Sequence, residues 1–191
     1  MNDTAVHRRR SIRLRGYDYT RPGWYFVTAN VQDRRRVFGT LVNGRMALND
    51  AGRMVQAVWD EMPAHYPGVE IDAFVVMPDH MHGLVRLVGA APPTDLSLPD
   101  VVHRFKTMTT KRYADGVHER GWPRFPGRLW QRNYYEMIGR DDAALTNIRS
   151  YIRDNPARAD VLRYGEPRFL TGNATFCEHF LTTTNSRITW V

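Results

Sequence analysis

Residues 69–88, VEIDAFVVMPDHMHGLVRLV, consist of two apolar, β-branched runs separated by Pro78-Asp79. This composition predicts two β-strands joined by a short link. In the second strand His80 and His82 are two positions apart, so both side chains project from the same face, about 6.6 Å apart along the strand. The stretch therefore predicts a sheet that carries two neighbouring imidazoles on one side.

The rest of the chain predicts strands interleaved with helices. Asn43-Gly44 supplies the positive φ angles of a two-residue hairpin turn, and Ser97 with Asp100 resembles a capping box. The predicted elements are strands over 24–32, 69–77, 80–88 and 128–139, and helices over 49–68, from Ser97 to about Tyr113, and from Asp142 to about Pro156. Short links between strands predict an antiparallel sheet with helices packed against it, an α+β fold.

The composition predicts one globular domain over residues 1–191, because a chain of this length buries enough surface to fold without covalent staples. Hydrophobic residues make up 42% of the chain, yet no window is long and apolar enough for a membrane span. The basic N-terminus lacks the apolar core of a secretory signal. Cys177 is the only cysteine, which excludes an internal disulfide and a multi-cysteine zinc site. We expect a cytoplasmic, nucleoid-associated protein.

The chain is strongly basic, with a formal net charge of +7 and a pI near 9.9. Arginines dominate its basic residues and suit a nucleic-acid partner, because a guanidinium forks onto phosphate oxygens and stacks on bases. GC-rich coding, which also replaces lysine by arginine, is the alternative explanation. The candidate DNA-binding residues are Arg8, Arg9, Arg10, Arg13 and Arg15 in an N-terminal arm (1–23), Arg104, Lys106, Lys111 and Arg112 on one helix face, and Arg132 and Tyr134 in the predicted strand 128–139.

The last predicted helix carries a second polar cluster. Tyr151 and Asn155 are four residues apart and therefore share a face. The amide oxygen of Asn155 is a candidate third ligand for a cation held by His80 and His82, because Mg²⁺ and Mn²⁺ favour oxygen ligands. Tyr151 is a candidate nucleophile towards phosphorus. The alternatives are an incidental surface pair of histidines, a core tyrosine at the edge of an apolar stripe, and an asparagine that ends the helix.

Two neighbouring features also leave alternatives open. Tyr134 or Tyr135 could serve as the nucleophile instead of Tyr151, but side chains alternate along a strand, so at least one of the two is expected in the core. Asp79 either orients an imidazole or serves the turn after Pro78.

Three ordered segments carry a resemblance to a known family. MPDHMHGLV (77–85) resembles the HUH motif, histidine-hydrophobe-histidine, of the small single-tyrosine transposases. The pattern LWQRNYYE (129–136) followed by IR.YI.DNPARA (148–159) is similar to the REP-associated tyrosine transposases. RRSIRLRGYDYTRPGWYFVT (9–28) resembles the opening of the same group. The resemblance spans roughly residues 8 to 160.

The resemblance implies a four- or five-stranded antiparallel sheet flanked by helices, of the ferredoxin- or RRM-like kind seen in HUH transposases. It implies a Mg²⁺ or Mn²⁺ cofactor on His80 and His82, with Asn155 assisting, and Tyr151 as nucleophile. The implied activity is cleavage of single-stranded DNA next to a hairpin, through a 5′-phosphotyrosine intermediate. Met137 stands where relatives are expected to carry histidine, and the tail 161–191 has no interpretable motif.

We therefore expect a metal-dependent DNA endonuclease and strand transferase that acts on hairpin DNA from palindromic repeats. A non-catalytic protein that binds hairpin or single-stranded DNA with the same fold is the alternative, and an RNA-directed protein is a third. The expected oligomeric state is a monomer or a homodimer.

Overall fold

An antiparallel sheet forms the middle layer of the protein in a computed structural model, which describes residues 13–14, 16–89 and 96–164. Its four strands are β1 (Gly23–Asn30), β4 (Val69–Val76), β5 (His80–Leu87) and β6 (Tyr135–Gly139), in the spatial order β4-β5-β1-β6. The strands β2 (Gly39–Val42) and β3 (Arg45–Leu48) form a separate hairpin, whose turn places Asn43 and Gly44 at positive φ as Asn-Gly predicts.

Three helices, α1 (Asp50–His65), α2 (Leu98–Arg120) and α3 (Asp142–Tyr164), pack against the sheet. Their starts follow from local capping. Asn49 accepts a hydrogen bond from the Gly52 N–H at the start of α1, and Ser97 and Asp100 form a reciprocal capping box at the start of α2. The α+β class and the antiparallel four-stranded sheet predicted from the sequence are confirmed.

The helices cover opposite faces of the sheet. One large cluster joins α1 and α2 to the sheet residues Tyr25, Val27 and Met81. A smaller cluster, Phe26, Leu84, Leu145, Ile148 and Ile152, joins α3 to the other face, called here the α3 face. Residues alternate between faces along a strand, so Thr28, His80 and His82 lie on the α3 face with Phe26.

The strand predicted over 128–139 is only partly regular. Trp130 bridges to Val31, and the regular strand β6 begins only at Tyr135, which pairs with Thr28. Between these two pairs the chain advances three residues, from Thr28 to Val31, on one side and five residues, from Trp130 to Tyr135, on the other. Residues 131–134 therefore form a bulge with two extra residues. The Lys106 ammonium lies 3.0 Å from the carbonyl oxygens of both Gln131 and Asn133 and holds this bulge against α2.

Two helix ends differ from prediction. Pro156 lies inside α3, which continues to Tyr164, so the predicted end is wrong. Beyond the proline, Asp160 Oδ2 accepts a hydrogen bond of 2.6 Å from the Gly44 N–H in the β2–β3 turn. This long-range contact stabilises the last turns despite the missing amide of the proline. Helix α2 also extends beyond Tyr113, to Arg120, and its buried Gly116 packs under the Trp122 ring.

The described part of the predicted N-terminal arm packs against the fold. The buried Tyr19 donates a 2.7 Å hydrogen bond to Glu136 Oε1, and Arg13 pairs with Glu136 Oε2 at 3.0 Å. Arg8, Arg9, Arg10 and Arg15 lie outside the described residues, as does most of the tail 161–191. Among the described helices, none is long and apolar enough to cross a membrane.

Candidate functional site

His80 and His82 project together from β5, an interior strand of the sheet that pairs on both edges. Their ring centroids are 4.8 Å apart. His82 is 5% exposed, and the His80 side chain is 14% exposed. A central strand with two neighbours cannot shift easily, so the pair is held in a fixed position.

Each imidazole makes a short contact through Nδ1. Asp79 Oδ1 lies 2.6 Å from His80 Nδ1, and Thr28 Oγ1 lies 2.7 Å from His82 Nδ1. An ionised carboxylate only accepts, so it fixes the His80 proton on Nδ1. The Thr28 hydroxyl can accept from His82 Nδ1 when the proton of that ring lies there. Both rings then keep the Nε2 lone pair for a cation, which is how oxygen partners orient metal-binding histidines.

The charge state of the site favours cation binding. Burial first, and then electrostatic interaction with His80 and Arg34, holds the pKa of His82 well below its ordinary value, so this ring is neutral at pH 7. Burial alone would raise the pKa of Asp79, but hydrogen bonding to His80 and the charge of Arg34 outweigh it, and the pKa is lowered. The site therefore combines a neutral His82 imidazole with an ionised Asp79 carboxylate, which contacts His80.

Tyr151 reaches this pair from α3. Its ring centroid is 5.2 Å from that of His82 and 5.8 Å from that of Phe26, with an edge-on geometry in both cases. Asn155, one turn later on α3, is 8% exposed. The structure thus brings Tyr151 onto the face that carries the histidines, and the i, i+4 spacing keeps Asn155 on the same side of the helix.

The donor set fits a divalent cation that accepts mixed nitrogen and oxygen ligands. Within the described residues no group of three or more His, Cys, Asp and Glu side chains is suited to a metal. A site on His80 and His82 consequently needs an amide oxygen, a substrate oxygen or water to complete it, as Mg²⁺ and Mn²⁺ sites with open positions do.

Arg34 is a site residue that the sequence analysis missed. Its Nε lies 3.0 Å from Asp79 Oδ2, and it also donates to Asn30 Oδ1. Asp33 and Arg34 both have positive φ, 56° and 53°, a conformation that costs non-glycine residues on the order of 1 to 3 kcal/mol each. The side chain remains 50% exposed beside the histidines. The sequence analysis missed Arg34 because no spacing in the sequence links it to Asp79.

Tyr134 precedes β6 and Tyr135 begins it, and the two rings have different environments. Tyr134 is 4% exposed, its hydroxyl has no hydrogen-bond partner, and the Arg13 guanidinium lies 3.8 Å from its ring centroid. Burial raises the pKa of Tyr134. A ring covered in this way presents no open face to a base, and its burial agrees with the expectation that at least one of the two tyrosines lies in the core. Tyr135 is the exposed ring, at 57%.

Several of the predicted DNA-binding cations have protein partners. Lys106 binds the carbonyls of the bulge, Arg112 forms a two-bonded ion pair with Glu61, and Arg104 lies 4.5 Å over the Tyr66 ring. All three are on α2, across the sheet from the histidines. Lys111 and Arg132 are exposed. The α2 cations therefore do not form one free surface next to the candidate metal ligands.

Comparison with known proteins gives the family. The family model described as "Transposase IS200 like" matches residues 28–155, two thirds of the chain, from Thr28 at the His82 contact to Asn155. The chain belongs to the IS200-like transposase family. The matched range contains the histidine pair and Tyr151, so this transposase has its candidate site within the family's common region.

Individual proteins are also similar to this chain. An uncharacterised protein of Haemophilus influenzae is 35% identical over 166 residues, which cover 81% of this chain and 91% of the relative. A second protein of that organism, named "Putative REP-associated tyrosine transposase", is 29% identical over 144 residues, 74% of each chain. A solved REP-associated tyrosine transposase bound to a REP hairpin matches with a TM-score of 0.55 at 20% identity, covering 87% of this transposase and 94% of that chain. This last likeness shows the shared fold.

Proposed function

We propose that this transposase is a metal-dependent single-strand DNA endonuclease and strand transferase that cuts next to hairpin DNA. The observation that carries the proposal is the placement of the Tyr151 ring 5.2 Å from the ring of the buried His82. A phenol beside two oriented imidazoles puts a nucleophile and a cation-binding pair within reach of one phosphate.

Within this proposal, His80 and His82 hold Mg²⁺ or Mn²⁺ through Nε2, and Asn155 contributes its amide oxygen. The cation, when bound, polarises the scissile phosphate and stabilises the negative charge of the transition state, a contribution of several kcal/mol. Asp79 and Thr28 hold the imidazole protons on Nδ1. Arg34 fixes Asp79 and offers a guanidinium at the same edge.

The proposed reaction is a transesterification. The Tyr151 oxygen forms a bond to phosphorus, the bond from phosphorus to the 3′-oxygen breaks, the phenol loses its proton to solvent, and the leaving 3′-oxygen takes one up from solvent. A free phenol has a pKa near 10, so the tyrosine needs a nearby cation or base to react at neutral pH. The products are a 5′-phosphotyrosine and a free 3′-hydroxyl. The covalent link conserves the phosphodiester, so transfer to a new 3′-hydroxyl requires no ATP.

The chain itself positions the nucleophile. Ile148 and Ile152 flank Tyr151 on α3 and are both 1% exposed, so the helix is fixed to the sheet on either side of the reactive ring. Phe26 contacts both His82 and Tyr151 and excludes water from one side of the pair. This packing keeps the phenol close to the imidazoles before substrate arrives.

Hairpin DNA is the proposed partner. The net charge of +7 supports a nucleic acid, and the structural relative is bound to a REP hairpin. A non-catalytic hairpin-binding protein is the second candidate, favoured by Met137. This residue, where relatives are expected to carry histidine, packs against the apolar cluster under α3 and offers no ligand.

A covalent adduct tests the proposal. Protein is incubated with hairpin DNA carrying single-stranded flanks and Mn²⁺, then denatured and resolved by electrophoresis. We expect a shifted band that Tyr151→Phe abolishes and that Tyr66→Phe, a substitution on the opposite side of the sheet, retains. A band that is retained in Tyr151→Phe and lost in Tyr135→Phe would assign the nucleophile to Tyr135. No band from any hairpin would favour the binding protein.

A further inference from the structure

The bulge at residues 131–134 lies next to the candidate site and is unusually well fixed. Its two extra residues leave the regular pairing between β1 and β6. The Lys106 ammonium donates to the carbonyls of Gln131, Arg132 and Asn133 at 3.0, 3.4 and 3.0 Å. The buried Tyr134 ring anchors the other end. Bulges near active sites often redirect a side chain, and here the residue that follows is Tyr135.

Tyr135 is the exposed end of a row that crosses the α3 face. In register it is opposite Thr28, and Thr28 is opposite His82. Directly opposite residues project from the same face, and neighbouring strands are about 4.8 Å apart, so the Cα atoms of Tyr135 and His82 are separated by about 10 Å. Tyr135 is 57% exposed on an edge strand.

We propose that Tyr135 is a stacking platform for an unpaired base of the single strand that borders the phosphate at the histidine pair. The proposal rests on the proposed function, because it takes single-stranded DNA as the occupant. Lys106 acts as a positioning residue that fixes the bulge and thereby the orientation of the platform. Arg132, exposed within the bulge, is placed to contact the adjoining backbone.

The chemistry of the surface favours a base over other occupants. An exposed phenol ring presents a flat face that stacks on any base, and such stacking contributes about 1 to 3 kcal/mol per base. The neighbouring exposed charge is an arginine, which suits a phosphate. The distance of about two strands from the histidine pair leaves room for a nucleotide adjoining the reacting phosphate.

Binding without chemistry tests the platform. The probe is a DNA hairpin with an oligothymidine flank, titrated in EDTA and followed by fluorescence anisotropy. We expect Tyr135→Ala to weaken binding about tenfold, within the range of one stacked base, and Tyr135→Phe to retain it. Val42→Ala, a truncation at a comparably exposed residue of the β2–β3 hairpin, is the matched control and should not weaken binding.

An abasic scan locates the base. Each thymine of the flank is replaced in turn by an abasic residue. One position should weaken binding to the wild-type protein and have no further effect on Tyr135→Ala. Lys106→Met should reduce the penalty at the same position. Circular dichroism of each variant establishes that it is folded.

Two binding results would overturn the inference: equal flank binding by the wild type and Tyr135→Ala, or an abasic penalty that is the same in both proteins. A change in the oligomeric state of Tyr135→Ala, measured by light scattering, would also overturn it, because the ring would then be a protein contact at the sheet edge. The test is separate from the adduct assay. A base coupled to Tyr135 without any adduct would retain the platform and reject the chemistry. An adduct without such coupling would support the chemistry and reject the platform.

Discussion

His80 and His82 gain their orientation from two different oxygen partners, and this difference has measurable consequences. Asp79 is charged and bound by Arg34, whereas Thr28 is neutral and contacts His82 from the neighbouring strand. The sequence predicted both histidines and allowed for Asp79, because they are adjacent along the chain. Thr28 and Arg34 could not be predicted, since strand register and a positive-φ turn bring them to the site.

The Asp79 carboxylate is expected to raise the cation affinity of the site. Asp79→Ala removes the acceptor that fixes the His80 proton on Nδ1, and loss of such a partner typically costs 10- to 100-fold in metal affinity. Mn²⁺ titration followed by electron paramagnetic resonance measures this change. Asp72→Ala, which removes a carboxylate paired with Arg149 elsewhere on the sheet, is the control. Equal Mn²⁺ affinity in Asp79→Ala and the wild type would contradict the assignment.

Tyr134 is expected to contribute through its ring and not through its hydroxyl. The hydroxyl is buried without a partner, so Tyr134→Phe should raise the free energy of unfolding by up to about 1 kcal/mol. Tyr134→Ala leaves a cavity and should lower it by about 3 to 5 kcal/mol. Urea denaturation measures both. If the two substitutions destabilise equally, the hydroxyl has a partner that matters.

At the scale of elements, local sequence signals predicted where helices begin. They failed at the element boundaries where residues distant in the sequence make contact. Caps at Asn49 and Ser97 depend on neighbours a few residues away. The last turns of α3 are bound to the β2–β3 turn by the hydrogen bond from Gly44 to Asp160, and the bulge before β6 is bound to α2 by Lys106. Neither contact leaves a periodic trace in the sequence, so the proline at 156 and the apolar pattern before Tyr135 were misleading.

The Lys106 contact predicts a specific pH dependence of stability. Burial lowers the pKa of Lys106 to about 8, from 10.5 in an unfolded chain. Between these values the unfolded chain holds the proton and the folded chain does not. The free energy of unfolding should therefore rise with pH over this window, relative to Lys106→Met, by at most about 1.4 kcal/mol per pH unit.

Chemical denaturation of both proteins at several pH values from 7 to 10.5 measures this difference. Well below pH 8 the folded and unfolded chains are both protonated at Lys106, so the difference in free energy of unfolding between the wild type and Lys106→Met should be constant there. A wild-type free energy of unfolding that stays level or falls, relative to that of Lys106→Met, as the pH rises above 8 would show that the carbonyls of the bulge keep the ammonium charged.

At the scale of the whole molecule, the sheet separates two cores of unequal size. The large cluster with α1 and α2 stabilises the sheet, and the small cluster of Phe26, Leu84, Leu145, Ile148 and Ile152 attaches α3. The candidate site lies where β5 meets α3, at the edge of the smaller cluster. A cation bound by His80, His82 and Asn155 would therefore connect the sheet to the helix that carries Tyr151.

Such a connection predicts that metal stabilises the folded protein. A ligand that binds only the folded state adds about 2.7 kcal/mol at a concentration of 100 times its dissociation constant. Mn²⁺ should therefore raise the melting temperature of the wild type, and EDTA should reverse the rise. His80→Ala and His82→Ala should abolish the shift, Asn155→Ala should reduce it, and Tyr151→Phe should keep it because the phenol is no ligand here. A full shift in Asn155→Ala would leave the cation on the sheet alone, and α3 would then be held only by its apolar contacts.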